Sequence, residues 1–298
     1  MIKKFINIMV MAMTLTACNA QGENKNEAGA QTGDSTTTEN TEKMAKTTDK
    51  YVEIKTSAGD ITVQLFGDTP AHQANFLKLV NEGFYNNTLF HRVIKDFMIQ
   101  AGDPDSREAK PGQQLGAGDP GYTLEAEIDY PNHFHKRGAL AAARQGDQVN
   151  PQKRSSGSQF YIVTGTKLSD ADVQQLGQMS LQKEKQAEFQ RLAQGVMAQV
   201  QAMQQQGDYQ GLQQLEQQLI SQVEAKFQGK TSASVPAEIA EAYKTVGGAP
   251  HLDGDYTVFG QVVKGMDVVD KIEGAQTDGA DRPVTDIRIL SAKVVDKP

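Results

Sequence analysis

Residues 88–104, TLFHRVIKDFMIQAGDP, contain two short apolar runs that are separated by a polar pair. In the first run apolar and polar side chains nearly alternate, which is typical of a strand with one buried face. Lys95 and Asp96 interrupt the pattern like a turn, and the second run leads through Gln100 to a Gly-Asp-Pro stop. This stretch therefore predicts a pair of strands.

Arg92 is the unusual residue of this strand pair, because a guanidinium rarely lies among apolar side chains unless it is paired or used. A structural salt bridge and a substrate-binding arginine both explain such a residue, and the stretch alone leaves the two open. The choice depends on what surrounds the guanidinium in the fold.

Four separate segments, in this order along the chain, resemble the sequence signature of cyclophilins, the peptidyl-prolyl cis-trans isomerases with a β-barrel fold. They are residues 90–103, 138–144 (GALAAAR), 156–163 (SGSQFYIV) and 252–260 (LDGDYTVFG). Four segments in the family's order are more specific than one short motif. The resemblance implies a mainly β fold, a closed eight-stranded antiparallel barrel capped by two helices.

The resemblance also implies a catalytic residue, Arg92, which would stabilise the twisted amide of an X-Pro bond inside an apolar pocket. This chemistry needs no nucleophile, so neither a cofactor nor a metal is expected. The substrate-binding positions that the resemblance carries over are Phe97, Met98, Gln100, Ala143, Arg144, Gln159, Tyr161, His251, Leu252 and Tyr256.

Four of these positions differ from the best-known members of the family. Tyr161 stands in place of a Phe and keeps the ring, and Tyr256 replaces a His. Arg144 replaces an Asn, and His251 replaces a Trp that contributes to binding the drug cyclosporin. Weak inhibition by cyclosporin is therefore expected.

The N-terminal residues have the pattern of a bacterial export signal. Residues 1–17 combine two lysines with an apolar run that is too short to span a bilayer, and residues 15–18, LTAC, look like a lipobox. Cys18 is the only cysteine in the chain, so no internal disulfide can form, and lipidation explains its presence. Residues 18–49 are polar and are predicted to be a lipidated, disordered tether. The expected location is the bacterial cell envelope, with a lipid anchor in a membrane.

The cyclophilin-like barrel is predicted for residues 50–298, interrupted by a helical insertion at residues 168–248. Apolar residues recur at three-or-four spacing in residues 180–206 and 208–228, which predicts an antiparallel helical hairpin that turns at Gly207 and Asp208. Short helices are expected at residues 169–179 and 236–246. Because the insertion returns at His251, it is expected to flank the groove. It could pack as a hairpin on itself and the barrel wall, or serve as an arm that binds a partner.

Composition and isolated motifs exclude several other functions. The formal net charge is −7 and no face rich in Lys or Arg is evident, so nucleic acid is not an expected partner. Ser158 lies outside a nucleophile elbow, which disfavours a hydrolase. His133 and His135 have the spacing of two metal ligands, but no third ligand is evident, so they are interpreted as exposed loop histidines.

Two functional hypotheses follow. The first is an isomerase that accelerates X-Pro isomerisation in proline-containing polypeptides during the folding of exported proteins. The alternative is a chaperone or protein-binding module that acts through the helical insertion, with isomerisation incidental. The oligomeric state is not predicted by the sequence.

Overall fold

In the computed structural model, which describes residues 45–298, the sheet begins with the hairpin formed by β1 (Lys50–Thr56) and β2 (Gly59–Leu65). Alternate side chains of both strands, such as Val52, Ile54 and Val63, are fully buried or nearly so. The hydroxyl of Thr56 ties the turn, because it donates to the carbonyl of Gly59 at 2.7 Å and accepts from the amide of the same residue at 3.1 Å. Local patterning and a tied turn thus produce this hairpin.

The other strands follow in chain order and are mostly short. They are β3 (Arg92–Ile94), β4 (Met98–Ala101), β5 (Thr123–Leu124), β6 (Ala139–Ala142), β7 (Ser155–Ser156), β8 (Phe160–Val163), β9 (Val258–Lys264) and β10 (Ile289–Val295). Eight of them form one antiparallel sheet in the order β10-β1-β2-β9-β6-β8-β4-β3, and β5 pairs with β7 separately. The helices α1 (Pro70–Asn81) and α6 (Met266–Glu273) contribute Phe76, Leu79, Val269 and Ile272 to the core cluster of this sheet.

The prediction of a closed barrel is wrong, because the sheet is an open half-barrel with β10 and β3 at its edges. The alternation of residues 284–295 predicts a closing strand, but the observed strand begins only at Ile289. The residues before it run irregularly beside β3, where Val93 N donates to Asp281 O at 2.8 Å and Phe90 N donates to Ile287 O at 2.9 Å. These bonds satisfy edge groups that would otherwise need a strand partner, so the edge is covered without closure.

The chain between β8 and β9 is helical. Its helices are α2 (Asp170–Gly195), α3 (Met197–Gln206), α4 (Tyr209–Lys226) and α5 (Ala237–Thr245). The separate short helix predicted at residues 169–179 is wrong, since α2 runs through it without a break. The predicted turn is present: Gly207 is left-handed, with φ of 68°, and Asp208 caps α4 by accepting from Gly211 N at 2.8 Å.

The described residues fall into two units. Gly177–Ser234 forms one, with its own apolar clusters around Phe189 and Val223 and around Val200 and Leu215. Residues 45–176 and Val235–Pro298 form the other, which contains the sheet and α5. Among the helices of residues 45–298, none combines the length and the apolar character that a bilayer crossing requires.

The predicted signal peptide at residues 1–17, Cys18 and the greater part of the predicted tether lie outside the described residues. The last residues of the predicted tether do lie within them, and they contact the sheet unit. Thr47 N donates to Gly67 O at 2.7 Å, and Gly67 N donates to the carboxylate of Asp49 at 2.9 Å.

Candidate active site

A cavity of about 620 Å³ lies beside the outer strands β3, β4 and β8. Strand pairing places its central side chains in one row, because Arg92 lies opposite Gln100 and Gln100 lies opposite Tyr161. Residues directly opposite each other in an antiparallel pair project from the same face of the sheet. The sequence-predicted site residues that line the cavity are Arg92, Phe97, Met98, Gln100, Ala143, Arg144, Tyr161, Leu252 and Tyr256.

Two predicted site residues, Gln159 and His251, do not line the cavity themselves. Gln159 accepts from Gln100 Nε2 at 3.0 Å, and its own amide donates to the carbonyls of Gly116 and Gly118 at 3.0 and 2.7 Å. His251 packs against Phe97, with 5.2 Å between ring centroids. Both therefore touch residues that line the cavity.

The guanidinium of Arg92 is held loosely. Its Nη1 atom lies 3.5 Å from Gln100 Oε1, and the nearest acid, Asp281, lies 3.7 Å from Nε. Because Gln159 holds the amide nitrogen of Gln100, the oxygen of that amide faces Arg92. The side chain of Arg92 is 43% exposed, so the ion pair coexists with a guanidinium that still faces the cavity.

One end of the cavity is apolar. Met98, Tyr161 and Val258 form a buried cluster against which Phe97, Leu252 and Tyr256 pack. This arrangement offers an apolar floor of a kind that suits a small hydrophobic ring.

Arg144 closes one side of this apolar end. Its guanidinium lies 4.5 Å from the ring centroid of Tyr256, and its Nε donates to Asp255 O at 2.7 Å. The head group is thus held in place by its neighbours.

The rest of the lining comes from residues 112–116 and from His91, Asp278, Ala280 and Arg282. Sequence reasoning missed the last four. The guanidinium of Arg282 is buried, and it donates to Lys110 O at 2.9 Å and to Asp286 Oδ1 at 2.8 Å. Arg282 therefore joins two loops that are distant in sequence, and no local pattern announces this.

His91 is 4% exposed, and no side chain hydrogen-bonds to either ring nitrogen. Burial lowers the pKa of His91, although the nearby carboxylate of Asp103 opposes the shift. The imidazole is therefore neutral at pH 7. Its position next to Arg92 in the sequence was the one signal that could have identified it.

The interpretation of His133 and His135 as exposed loop histidines is wrong, because the side chain of His133 is 15% exposed and His135 is 1% exposed. Its Nδ1 bonds Asp253 at 2.9 Å, whereas His133 bonds Asp68 at 2.7 Å, so the two rings serve different carboxylates. In residues 45–298, Asp68, Asp129 and His133 offer ligand atoms within 4.8 Å of one another. Lys46 lies 3.2 Å from the second oxygen of Asp68, which makes this group an ion-pair cluster.

Comparison with known proteins agrees with this geometry. The family model described as cyclophilin type peptidyl-prolyl cis-trans isomerase/CLD matches residues 51–179 and 178–294. The chain therefore belongs to the family of cyclophilin-type peptidyl-prolyl cis-trans isomerases.

Individual relatives resemble the chain over most of its length. A Streptococcus pyogenes protein, provisionally named a bifunctional phosphatase/peptidyl-prolyl cis-trans isomerase, is 32% identical over 82% of this chain, which spans 38% of that longer protein. Peptidyl-prolyl cis-trans isomerase CYP18-2 of Arabidopsis thaliana is 26% identical over 82% of this chain and 93% of its own length. A solved Cryptosporidium parvum cyclophilin type isomerase aligns with 22% identity and a TM-score of 0.47, covering 84% of this chain and 99% of that chain.

Proposed function

We propose that the cavity binds an X-Pro segment of a polypeptide and that Arg92 accelerates rotation about its amide bond. The rotation barrier is about 18–20 kcal/mol because amide resonance must be broken. In the twisted amide the nitrogen regains its lone pair, and a donor aimed at that nitrogen binds the transition state better than the planar ground state. A gain of about 10⁴ in rate needs about 5.5 kcal/mol of such differential stabilisation.

The residues around Arg92 have separate parts in this proposal. Phe97, Met98, Tyr161 and Leu252 hold the pyrrolidine ring and keep water away from the guanidinium. Gln100, fixed by Gln159, orients Arg92 and the substrate carbonyl. Ala143 and Arg144 border the segment that precedes the proline, at the side closed by Tyr256.

The observation that carries the proposal is the half-exposed guanidinium of Arg92 beside an apolar floor in one cavity. The test is exchange NMR on a peptide with one X-Pro bond, recorded with and without catalytic amounts of the protein. We expect cis-trans exchange to accelerate from tens of seconds to the millisecond range. An unchanged exchange rate at saturating peptide would contradict the proposal.

We also propose that the protein is exported, lipid-anchored through Cys18 and active on exported proteins in the cell envelope. The support is the sequence alone, namely the cationic start, the short apolar run and the LTAC segment. Incorporation of labelled fatty acid in a bacterial host tests it, with Cys18→Ser as the control. Label in the wild type and none in the variant is expected, and an unlabelled wild type contradicts the anchor.

A further inference from the structure

A row of four hydrogen-bonded side chains leads from the cavity floor to α5. The hydroxyl of Tyr161 lies 3.0 Å from His135 Nε2, and His135 Nδ1 lies 2.9 Å from Asp253 Oδ1. On the far side, the hydroxyl of Tyr243 donates to Asp253 Oδ2 at 2.6 Å. Tyr161, His135 and Tyr243 are 5%, 1% and 0% exposed, so this row is shielded from solvent.

The carboxylate of Asp253 fixes the histidine ring. Asp253 Oδ1 accepts from both the backbone N and Nδ1 of His135, so the ring is held through Nδ1 and its other nitrogen, Nε2, faces the hydroxyl of Tyr161. Burial raises the pKa of Tyr161 and of Tyr243, so both phenols remain protonated donors.

The row is connected to two residues that line the apolar end of the cavity. Tyr161 and Leu252 both line the cavity, and Asp253 follows Leu252 directly in the chain. The ring of His135 is stacked on Tyr161, with 6.1 Å between centroids. A shift of Asp253 would thus move both Tyr161 and Leu252.

Tyr243 connects the row to a helix of the insertion between β8 and β9. It lies on α5, where it packs with Ile239, Leu176 and Phe134. Tyr243 therefore lies on a packed helix, which holds its end of the row in place.

We propose that Tyr243, Asp253 and His135 are positioning residues that fix the ring of Tyr161, so that α5 sets the affinity of the cavity for its substrate. This inference rests on the proposed function of the cavity. Because the row touches the ring-binding floor and does not touch Arg92, it acts on substrate binding more than on the chemical step.

The test is Tyr243→Phe, which removes one hydroxyl and keeps the ring in its apolar cluster. We expect KM for an X-Pro peptide to rise about three- to tenfold while kcat stays within about twofold, because the loss of one typical hydrogen bond shifts equilibria on that scale. The matched control is Tyr85→Phe, which removes a buried hydroxyl that donates to Ser158 O at 3.3 Å and does not line the cavity. The control is expected to leave KM unchanged.

Testing Tyr243→Phe in a Tyr161→Phe protein distinguishes positioning through Tyr161 from a general loss of stability. In Tyr161→Phe there is no hydroxyl to hold, so adding Tyr243→Phe should change KM by less than about 1.5-fold. An unchanged KM in Tyr243→Phe, or the same rise in both backgrounds, overturns the inference. If the wild-type protein fails to accelerate isomerisation, the proposed function fails, and the inference is then read from peptide affinity measured by NMR titration of the same variants.

Discussion

The Nε atom of Arg92 lies 3.7 Å from Oδ2 of Asp281, and the two side chains are 43% and 46% exposed. An ion pair at this distance and exposure contributes between about 0 and 1 kcal/mol, because water screens it. The arginine thus has a partner that hardly restrains it.

Asp281→Asn is expected to change the free energy of unfolding by less than about 1 kcal/mol and kcat/KM by less than about threefold. Asn is the suitable replacement because residue 281 has φ of 62°, a left-handed conformation that Asn tolerates. Urea unfolding and exchange NMR measure the two quantities. A loss of activity above tenfold would mean that Asp281 takes part in catalysis.

Arg282→Met is expected to lower the free energy of unfolding by about 2–3 kcal/mol. The substitution leaves Lys110 O and Asp286 without their buried donor, and the partial exposure of Asp286, 30%, keeps the loss below that of a fully buried pair. Hydrogen exchange at residues 110–116 should speed up at the same time.

The control for Arg282 is Arg154→Met, which removes a solvent-facing guanidinium that pairs with Glu125 at 3.5 Å and donates to Thr123. Its cost is expected to stay below about 1 kcal/mol. Equal losses in the two variants would show that burial of Arg282 contributes nothing to holding the loop.

His91 should make the protein less stable in mild acid. Because burial holds the pKa of His91 below its usual 6.5, the unfolded chain binds a proton that the native chain resists. Stability is therefore fully present above pH 6.5 and is lost as pH falls towards the native pKa. In His91→Gln the part of the pH dependence of the unfolding free energy that His91 causes should disappear. Urea unfolding between pH 8 and pH 5 measures this dependence. Parallel stability curves for the two proteins would contradict the assignment.

Removal of the helical unit separates the two functional hypotheses. Ala233 N donates to Gly177 O at 2.8 Å, so residues 178–232 can be replaced by a short glycine link. This excision retains α5 and Tyr243. If the protein acts as an isomerase, its kcat/KM on a short peptide should stay within about threefold of the value for the full chain.

The excised protein should be compared with Arg92→Ala in a cell that depends on the protein. Loss of function only on excision would favour the chaperone or binding module, and loss only with Arg92→Ala would favour catalysis.

Features that depend on neighbouring residues were predictable from the sequence. The turn at Gly207 and Asp208 separates two apolar periodicities, and Arg92 and Gln100 lie on strands joined by three residues. Such features need only local patterning.

Features that join distant segments were not predictable. The alternation that continues from Val284 into β10 cannot reveal that the residues before Ile289 run irregularly along β3 and leave the sheet open. The hydrogen-bonded row from Tyr161 to Tyr243 was not predictable either, because Asp253 lies 118 residues after His135 in the chain. Each depends on packing between elements that no periodicity encodes.

The central claim is that the Arg92 guanidinium stabilises the twisted amide, and exchange NMR on one X-Pro peptide with wild type, Arg92→Lys and Arg92→Ala tests it most directly. Peptide affinity, measured in the same samples, should change by less than about fivefold in both variants, because the apolar floor remains. The exchange rate at saturation should fall at least about 100-fold in Arg92→Ala, a loss of about 2.7 kcal/mol, and less in Arg92→Lys. A saturated rate in Arg92→Ala within about threefold of wild type would contradict the account.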